Sequence, residues 1–302
     1  MHLDEDDILE KFDALVADGT AFYEESARVV RFEDGGLQFE FRVSDALAGK
    51  PATSPTQTQP KQPPASAEPS GCRPGSDIDV SGFEITPVSE THLLAINKFA
   101  AVRPHLLLLT QDGFQRQYTA LDRDDLASAR AVFASFQRPY LVFYNCRVEG
   151  GCSRLHKHMQ VIPSPEGDED GMLLWPDWDE ARRGCIPFHY FLHRFKDGIL
   201  PAPEDLSEIY EGLLGQAQKV LHRDDDVKDG SKAIPHNVAM NQRWIVVIPR
   251  RKGDANGVGV NGAGMLGLAW VSSEKKLKDW MEFGPANVLV EVGVANTHNG
   301  RR

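Results

Sequence analysis

The chain has 302 residues, a formal net charge of −11, 41% apolar residues and 9% aromatic residues; this excludes a globally disordered chain and suggests about two domains at ~100–200 residues each. The negative charge argues against broad binding to nucleic acid, which needs Lys and Arg to neutralise phosphates, but leaves room for a small anionic substrate held by local cations or backbone N–H groups. The longest apolar runs, Leu106–Leu109 and Trp244–Ile248, have strand length, well short of the ~20 residues of a membrane span.

The N-terminus, Met1-His2-Leu3-Asp4-Glu5-Asp6-Asp7, is acidic and unlike a secretory or transit peptide, so an intracellular soluble protein is expected. Cys72, Cys146, Cys152 and Cys185 read as free thiols. Ile8 to Ala27 reads as a helix, with Ile8, Leu9, Phe12, Leu15, Val16, Phe22 and Tyr23 near the 3.6 period. Val29–Phe32 and Leu37–Val43 flank Asp34-Gly35-Gly36 and read as a β-hairpin. Pro51 to Ser76 holds seven prolines and almost nothing to bury, which reads as a disordered linker or surface loop.

Structure resumes near Gly82. Thr91–Phe99 and Pro104–Thr110 read as strands, Asp122–Phe136 as a helix capped by Asp122 or Asp124, and Tyr140–Tyr144 as a buried strand. A loop from Asn145 to Leu155 precedes an alternating run, His156–Ile162. Asp205–His222 reads as a helix, Asn237–Pro249 as a strand and Glu274–Phe283 as a helix. Val288–Val294 closes the pattern. The whole is α+β with antiparallel character, without a regular βαβ alternation. Arg250-Arg251-Lys252 reads as a solvated turn. Val258–Gly264 looks like a dinucleotide-binding turn but lacks the acidic residue and βαβ frame that such a turn requires.

The chemistry concentrates in Ser153-Arg154-Leu155-His156-Lys157-His158-Met159-Gln160. On a strand, His156, His158 and Gln160 share one face and Lys157, Met159 and Val161 the other. A lone strand histidine is usually a satisfied structural residue; two of them with a glutamine, behind Gly150-Gly151, are harder to ascribe to chance. A neutral imidazole can attack phosphorus and carry a nucleotidyl group. A zinc site from Cys146, Cys152, His156 and His158 is the alternative, with a spacing unlike the usual paired ligands.

Phe143-Tyr144-Asn145, Gly150-Gly151-Cys152-Ser153 and His156-Lys157-His158-Met159-Gln160 resemble the fungal diadenosine tetraphosphate (Ap4A) phosphorylases, also called ATP adenylyltransferases. These lie on the branch of the histidine-triad superfamily shared with galactose-1-phosphate uridylyltransferase, where glutamine replaces the third histidine. Ile96–Thr110, His236–Met240, Trp244–Arg250, Val260-Asn261, Gly264 and Gly267 extend the likeness over most of the chain. Cys146-Arg147-Val148-Glu149 departs from the family's Ser/Gly-rich loop, and Cys152 replaces a small hydroxyl residue.

The resemblance implies an α+β fold: a histidine-triad-like, largely antiparallel sheet flanked by helices, with the C-terminal half packed on the same sheet. The divisions expected are 1–50 (helix and hairpin), 51–80 (Pro-rich linker), 81–190 (catalytic region) and 191–302 (C-terminal region). The implied reaction is Ap4A + Pi → ADP + ATP through an adenylyl-histidine on His158. The His156 carbonyl would accept the Nδ1–H of His158, and Gln160 would hydrogen-bond the transferring group. Asn145, Gly151 and Ser153 match the phosphate and ribose loop, Asn97 and Lys98 a segment near the nucleotide, and Lys50 a lysine near the polyphosphate. The resemblance implies no metal site and no required cofactor, with magnesium optional. Its partners would be diadenosine polyphosphates, ATP, ADP and inorganic phosphate, with no nucleic acid or membrane. A monomer in the cytoplasm, with the nucleus as a second compartment, is expected. A hydrolase or another nucleotidyltransferase of the same fold, or a non-catalytic Ap4A-binding protein, are the alternatives.

Overall fold

The computed structural model describes residues 4–49, 72–165, 171–221 and 233–296. Along the chain, α1 (Glu5–Ala17) leads into the hairpin of β1 (Arg28–Asp34) and β2 (Leu37–Val43). Then come β3 (Glu84–Pro87), β4 (His92–Ile96), β5 (Leu106–Thr110), α2 (Arg123–Ser135), β6 (Tyr140–Cys146) and β7 (His158–Pro163). The C-terminal half supplies α3 (Glu180–Arg183), β8 (Phe191–Arg194), α4 (Pro203–Leu221), β9 (His236–Met240) and β10 (Trp244–Pro249). The short β11 (Asp254–Ala255) and β12 (Val258–Gly259), α5 (Gly262–Met265), β13 (Leu268–Val271), α6 (Glu274–Phe283) and α7 (Pro285–Val292) complete it.

Eight strands form one antiparallel sheet in the order β3-β4-β5-β7-β6-β9-β10-β8. The two halves of the chain meet inside it, where β6 pairs with β9 from Val142 opposite Met240 to Cys146 opposite His236. A second sheet, β1-β2-β13, joins the N-terminal hairpin to the C-terminal region, with β13 parallel to β2. The large sheet therefore has strands on both sides of residue 190, and the small one joins strands from before residue 50 to one beyond residue 190. No helix among the described residues is long and apolar enough to cross a membrane.

The central strands are buried and largely apolar because both faces are covered. Val142, Tyr144, Met159, Val161, Ile245 and Val247 enter a core with α1, α2 and α4. Leu141, Phe143, Ile162, Val246 and Ile248 enter another, with Phe39 and Phe41 of β2 and Leu289 of α7. Side chains of a strand alternate between faces, so on β7 Met159 and Val161 point to the helices while His158 and Gln160 point to the side of the small sheet. On the helix side, Lys157 is buried and its ammonium pairs with Asp125 on α2. Burial pushes the Asp125 carboxyl up, but the His92 hydrogen bond and the Lys157 charge outweigh it and hold it below the usual range.

Several elements differ from expectation for local reasons. α1 stops at Ala17 rather than Ala27, because Gly19 turns the chain at φ +78° and Tyr23 folds back edge-on against Phe12. Asn237–Pro249 is a hairpin rather than one strand: the Asn241 Oδ1 accepts from the N–H groups of Arg243 (2.8 Å) and Trp244 (3.1 Å) and turns it. β6 extends through Cys146, while β7 begins at His158, leaving His156 in an isolated bridge to Arg116. Val288 and its neighbours form a helix, α7, capped by Gly284. Residues 51–71 lie outside the described ones, but 72–80, assigned in sequence to the linker, pack in, with Ile78 and Val80 covering Leu93, Leu107 and Leu109. Asn261, within the glycine-rich turn, caps α5 by accepting from Gly264 N–H (2.9 Å).

A buried polar chain ties α4 to β9. The Leu121 N–H donates to the Tyr210 hydroxyl (3.2 Å), which donates to His236 Nε2 (3.0 Å), while His236 Nδ1–H donates to the Ile234 carbonyl (2.8 Å). This pattern needs a neutral ring, and burial lowers His236 to about 4. The unfolded chain takes up this proton below ~6.5, and the folded chain only near the lowered value, so the stability is whole above ~6.5 and is lost on acidification. Urea unfolding at pH 7 and pH 5 should show about 2 kcal/mol lost through this group, and His236→Gln should remove that part of the slope.

Candidate active site

His158 opens β7 at the middle of the large sheet, between β5 and β6. Its Nδ1 lies 2.8 Å from the His156 carbonyl oxygen. A carbonyl only accepts, so Nδ1 carries the hydrogen and the lone pair of the neutral ring resides on Nε2. The expected carbonyl contact is therefore present.

The His156 side chain does something else. Its Nε2 donates to the Thr110 carbonyl (3.0 Å) and its Nδ1 accepts from the Ser76 hydroxyl (2.8 Å). The ring is fully buried, and burial lowers its pKa. The Asp77 carboxylate accepts from the N–H groups of Leu155 and His156, each at 2.8 Å. His156 thus serves His158 through its backbone, and its imidazole anchors the strand. The expectation that both imidazoles project together is corrected here: the ladder begins only at His158, so alternation does not reach back to His156. With both of its nitrogens engaged, His156 is also no zinc ligand, and among the described residues no group of three or more His, Cys, Asp or Glu side chains is placed to hold a metal.

Gln160 is oriented by a residue that sequence reasoning passed over as a site residue. His105 Nδ1 accepts from the Ala101 N–H (3.3 Å), so its hydrogen is on Nε2, which donates to Gln160 Oε1 (2.9 Å). This fixes which end of the Gln160 amide His105 holds and turns the amide nitrogen elsewhere. Asn97 rests against the same ring, its Nδ2 3.2 Å from His105 Nε2, and its Oδ1 accepts from Phe99 N–H. Lys98 is exposed, with its ammonium 5.8 Å from the centre of the Phe22 ring, and no contact among the described residues brings it to His158. Lys50 lies outside the described residues.

The loop between β6 and β7 is knitted to the C-terminal half. Asn145 Oδ1 accepts from Asn237 Nδ2 (2.9 Å) and Gly262 N–H (2.7 Å). Gly151 sits at φ +84°, and a Cβ there would lie 2.4 Å from the Val260 carbonyl oxygen, so only glycine allows this approach. Arg250 is fully buried, contrary to the solvated turn read from sequence. Its guanidinium donates to Asn237 Oδ1 and to the carbonyls of Val292 (3.3 Å), Lys252 (2.9 Å) and Val260 (2.9 Å), with Gly150 at 3.5 Å. Burial lowers its pKa to about 9, which still leaves it charged at neutral pH.

A cleft of about 300 Å³ opens beside this loop, lined among others by Gly151, Cys152, Val260, Asn261, Trp270 and Trp280. Ser153 follows in the same loop, half-buried. His158 does not itself line the cleft. The link between them is Trp270, whose ring lies edge-on to His105 at 5.3 Å, and His105 holds Gln160. Gln117, also absent from the sequence reading, bonds the backbone of His158 on both sides. Its neighbours carry no periodic pattern that would mark it; His105, Asn237 and Arg250 lay within family-like segments and could have been singled out there.

Fold and site together define a nucleotidyltransferase. The family model of the Ap4A phosphorylase N-terminal domain matches residues 14–173, and that of the ATP adenylyltransferase C-terminal domain matches residues 184–295. The chain belongs to the Ap4A phosphorylase family. It is 30% identical to diadenosine 5',5'''-P1,P4-tetraphosphate phosphorylase 2 of Saccharomyces cerevisiae over 68% of this chain and 70% of that protein. To the Protein APA1 of the same yeast it is 24% identical over 69% and 71%. The crystal structure of yeast Ap4A phosphorylase Apa2 matches the fold with a TM-score of 0.73 at 23% identity, covering 100% of this chain and 98% of that one. The same enzyme in complex with Ap4A matches at 0.72 and 22%, covering 98% and 100%.

Proposed function

We propose that this chain phosphorolyses Ap4A to ADP and ATP by double displacement, with His158 as the nucleophile. The observation that carries the reading is the 2.8 Å contact of His158 Nδ1 with the His156 carbonyl, which commits the Nε2 lone pair to attack. In the first step Nε2 forms a bond to the α-phosphorus of one adenosine, the bond from that phosphorus to the bridging oxygen breaks, and ATP leaves with the electron pair. The positive charge that develops on the ring is stabilised through Nδ1–H by the carbonyl dipole. In the second step an oxygen of inorganic phosphate attacks the same phosphorus, the P–N bond breaks, its electrons return to Nε2, and ADP departs.

The surroundings suit a polyanion. The Gln160 amide nitrogen, turned away from His105, is the end offered to the phosphoryl oxygens. Arg250 places a buried positive charge behind the loop of Gly150 and Gly151, and none of its contacts among the described residues is a carboxylate. The indoles of Trp270 and Trp280 give the cleft the aromatic wall on which an adenine stacks. The yeast structures with Ap4A and with AMP agree with an adenylated ligand in this fold. The reading requires no resident cofactor; magnesium, where used, travels with the polyphosphate. Asn145, Gly151 and Ser153 are the loop residues we assign to the phosphates and ribose, and a single chain holds every group the reaction uses.

The test is turnover of Ap4A with and without phosphate, the products being separated by ion exchange. Turnover should require phosphate and yield ADP and ATP in equal amounts. Equal rates without phosphate would point to a hydrolase, and tight binding without turnover to a nucleotide-binding protein.

A further inference from the structure

The β6–β7 ladder runs from Tyr140 opposite Pro163 to Phe143 opposite Gln160 and stops there. Continued by two residues, it would set Asn145 opposite His158, the phosphate loop against the nucleophile. The backbone groups needed are turned the right way: the Lys157 carbonyl accepts from Thr110 on the β5 side, so the N–H and C=O of the next residue, His158, face β6. They do not meet β6 directly. Gln117 lies between, 2% exposed, with Oε1 accepting from the His158 N–H (2.7 Å) and Nε2 donating to the His158 carbonyl (2.9 Å) and the Asn145 carbonyl (3.1 Å). Both amide hydrogens and the oxygen are used.

The Gln117 backbone grips the same loop at both stems. Its N–H donates to the Leu155 carbonyl (2.8 Å), and its carbonyl accepts from the Arg147 N–H (3.0 Å) and the Tyr144 hydroxyl (3.2 Å). One residue outside the motif therefore holds the entry of the loop, at 144–147, and its exit, at 155–158.

We infer that Gln117 is a positioning residue for nucleotidyl transfer: its side-chain amide replaces the missing ladder pair between Asn145 and His158 and sets the gap across which the α-phosphorus meets Nε2. This rests on the function proposed above. A direct Asn145–His158 pair would draw the loop onto the nucleophile, and with no bridge at all the His158 backbone would lose the support that aims its ring. Placement errors of ~1 Å at a reacting centre cost about 100-fold in rate, while remote binding contacts are untouched. The signature is therefore a loss in kcat at nearly constant affinity.

The experiment compares the full-length chain with Gln117→Met, which keeps the length and removes every bond, and with Gln117→Glu. Single-turnover adenylylation of His158 is followed by mass spectrometry without phosphate, and Ap4A binding by equilibrium titration. Gln117→Met should adenylylate about 100-fold more slowly while Ap4A binds within about threefold of the wild type. Gln117→Glu supplies a pH readout: a buried carboxyl facing two carbonyls has a raised pKa, and its neutral acid form again offers one acceptor and one donor. Its rate relative to the wild type should rise at least tenfold from pH 8 to pH 5.5. If Gln117→Met does not fold, this ratio decides alone. A methionine variant within threefold of the wild-type rate, or a glutamate variant with a pH-independent ratio, overturns the inference. A wild-type chain that forms no adenylyl-histidine instead removes the proposed function, an outcome recognisable before any variant is made.

Discussion

Exchanging His158 for alanine should abolish phosphate-dependent Ap4A turnover, with a loss on the order of 10⁴- to 10⁶-fold, the range seen when a covalent nucleophile is removed. The expectation is this large because, among the described residues, the neighbouring thiols and imidazole are not placed to take over. The thiol of Cys152, in the cleft wall, is pushed up by burial to about 12, and that of Cys146 is raised further by full burial, so both are protonated and inert at neutral pH. The His156 ring has both nitrogens bonded and its pKa lowered, and is fully buried. The cleft and the Asn145–Gly262 and Arg250 contacts do not involve the His158 side chain, so binding should survive. The measurement pairs an ion-exchange assay of ADP and ATP with intact-mass detection of one added AMP group. His158→Gly, with more room at the reacting centre, should still bind the dinucleotide. Retention of more than a tenth of the activity in the alanine variant would place the nucleophile elsewhere.

The sequence made His158 legible because its signal is local. Two histidines and a glutamine at alternate positions, behind paired glycines, are visible in ten residues and carry the family likeness. α2 was legible for the same kind of reason: Asp122 and Asp125 form a reciprocal cap, at 3.0 Å and 2.7 Å, within four residues of chain. The runs of β4, β5 and β6 showed as uninterrupted apolar segments because both faces of the sheet are covered. What escaped depends on partners distant in sequence. Gln117 gains its role only where two strands part, His105 only through Gln160 across a strand pair, and the His156 ring only from Thr110 and from Ser76, the last residue of the proline-rich stretch. Arg250 was misread because a basic triplet after a strand is usually solvated, and its burial is decided by carbonyls of loops up to 100 residues away.

Arg250→Met should lower stability by about 3 kcal/mol or more, and weaken Ap4A binding in the fraction that folds, whereas Arg251→Met should change stability by less than ~0.5 kcal/mol. The two arginines are neighbours of equal charge, but Arg251 is exposed and Arg250 is fully buried. Methionine fills much of the volume while leaving the carbonyls of Val260 and Lys252 and the amide oxygen of Asn237 without the guanidinium donor, whereas the Val292 carbonyl keeps the Arg251 N–H at 2.9 Å. Each buried acceptor so stranded costs ~1–3 kcal/mol, only partly offset by no longer burying a cation. The functional consequence follows from where these acceptors sit. Asn237 bonds Asn145 and the Gly150 carbonyl (2.7 Å), while Val260 meets Gly151 and lines the cleft. Arg250 is thus the point at which the phosphate loop of the N-terminal half is fastened to the cleft wall of the C-terminal half. Lysine, a single point of charge, cannot reach acceptors spread around a planar fork, so Arg250→Lys should recover only part of the loss. Urea unfolding of the three variants beside an Ap4A titration gives the comparison; equal behaviour of the 250 and 251 substitutions would mean that basic charge, and not this fastening, is what the segment contributes.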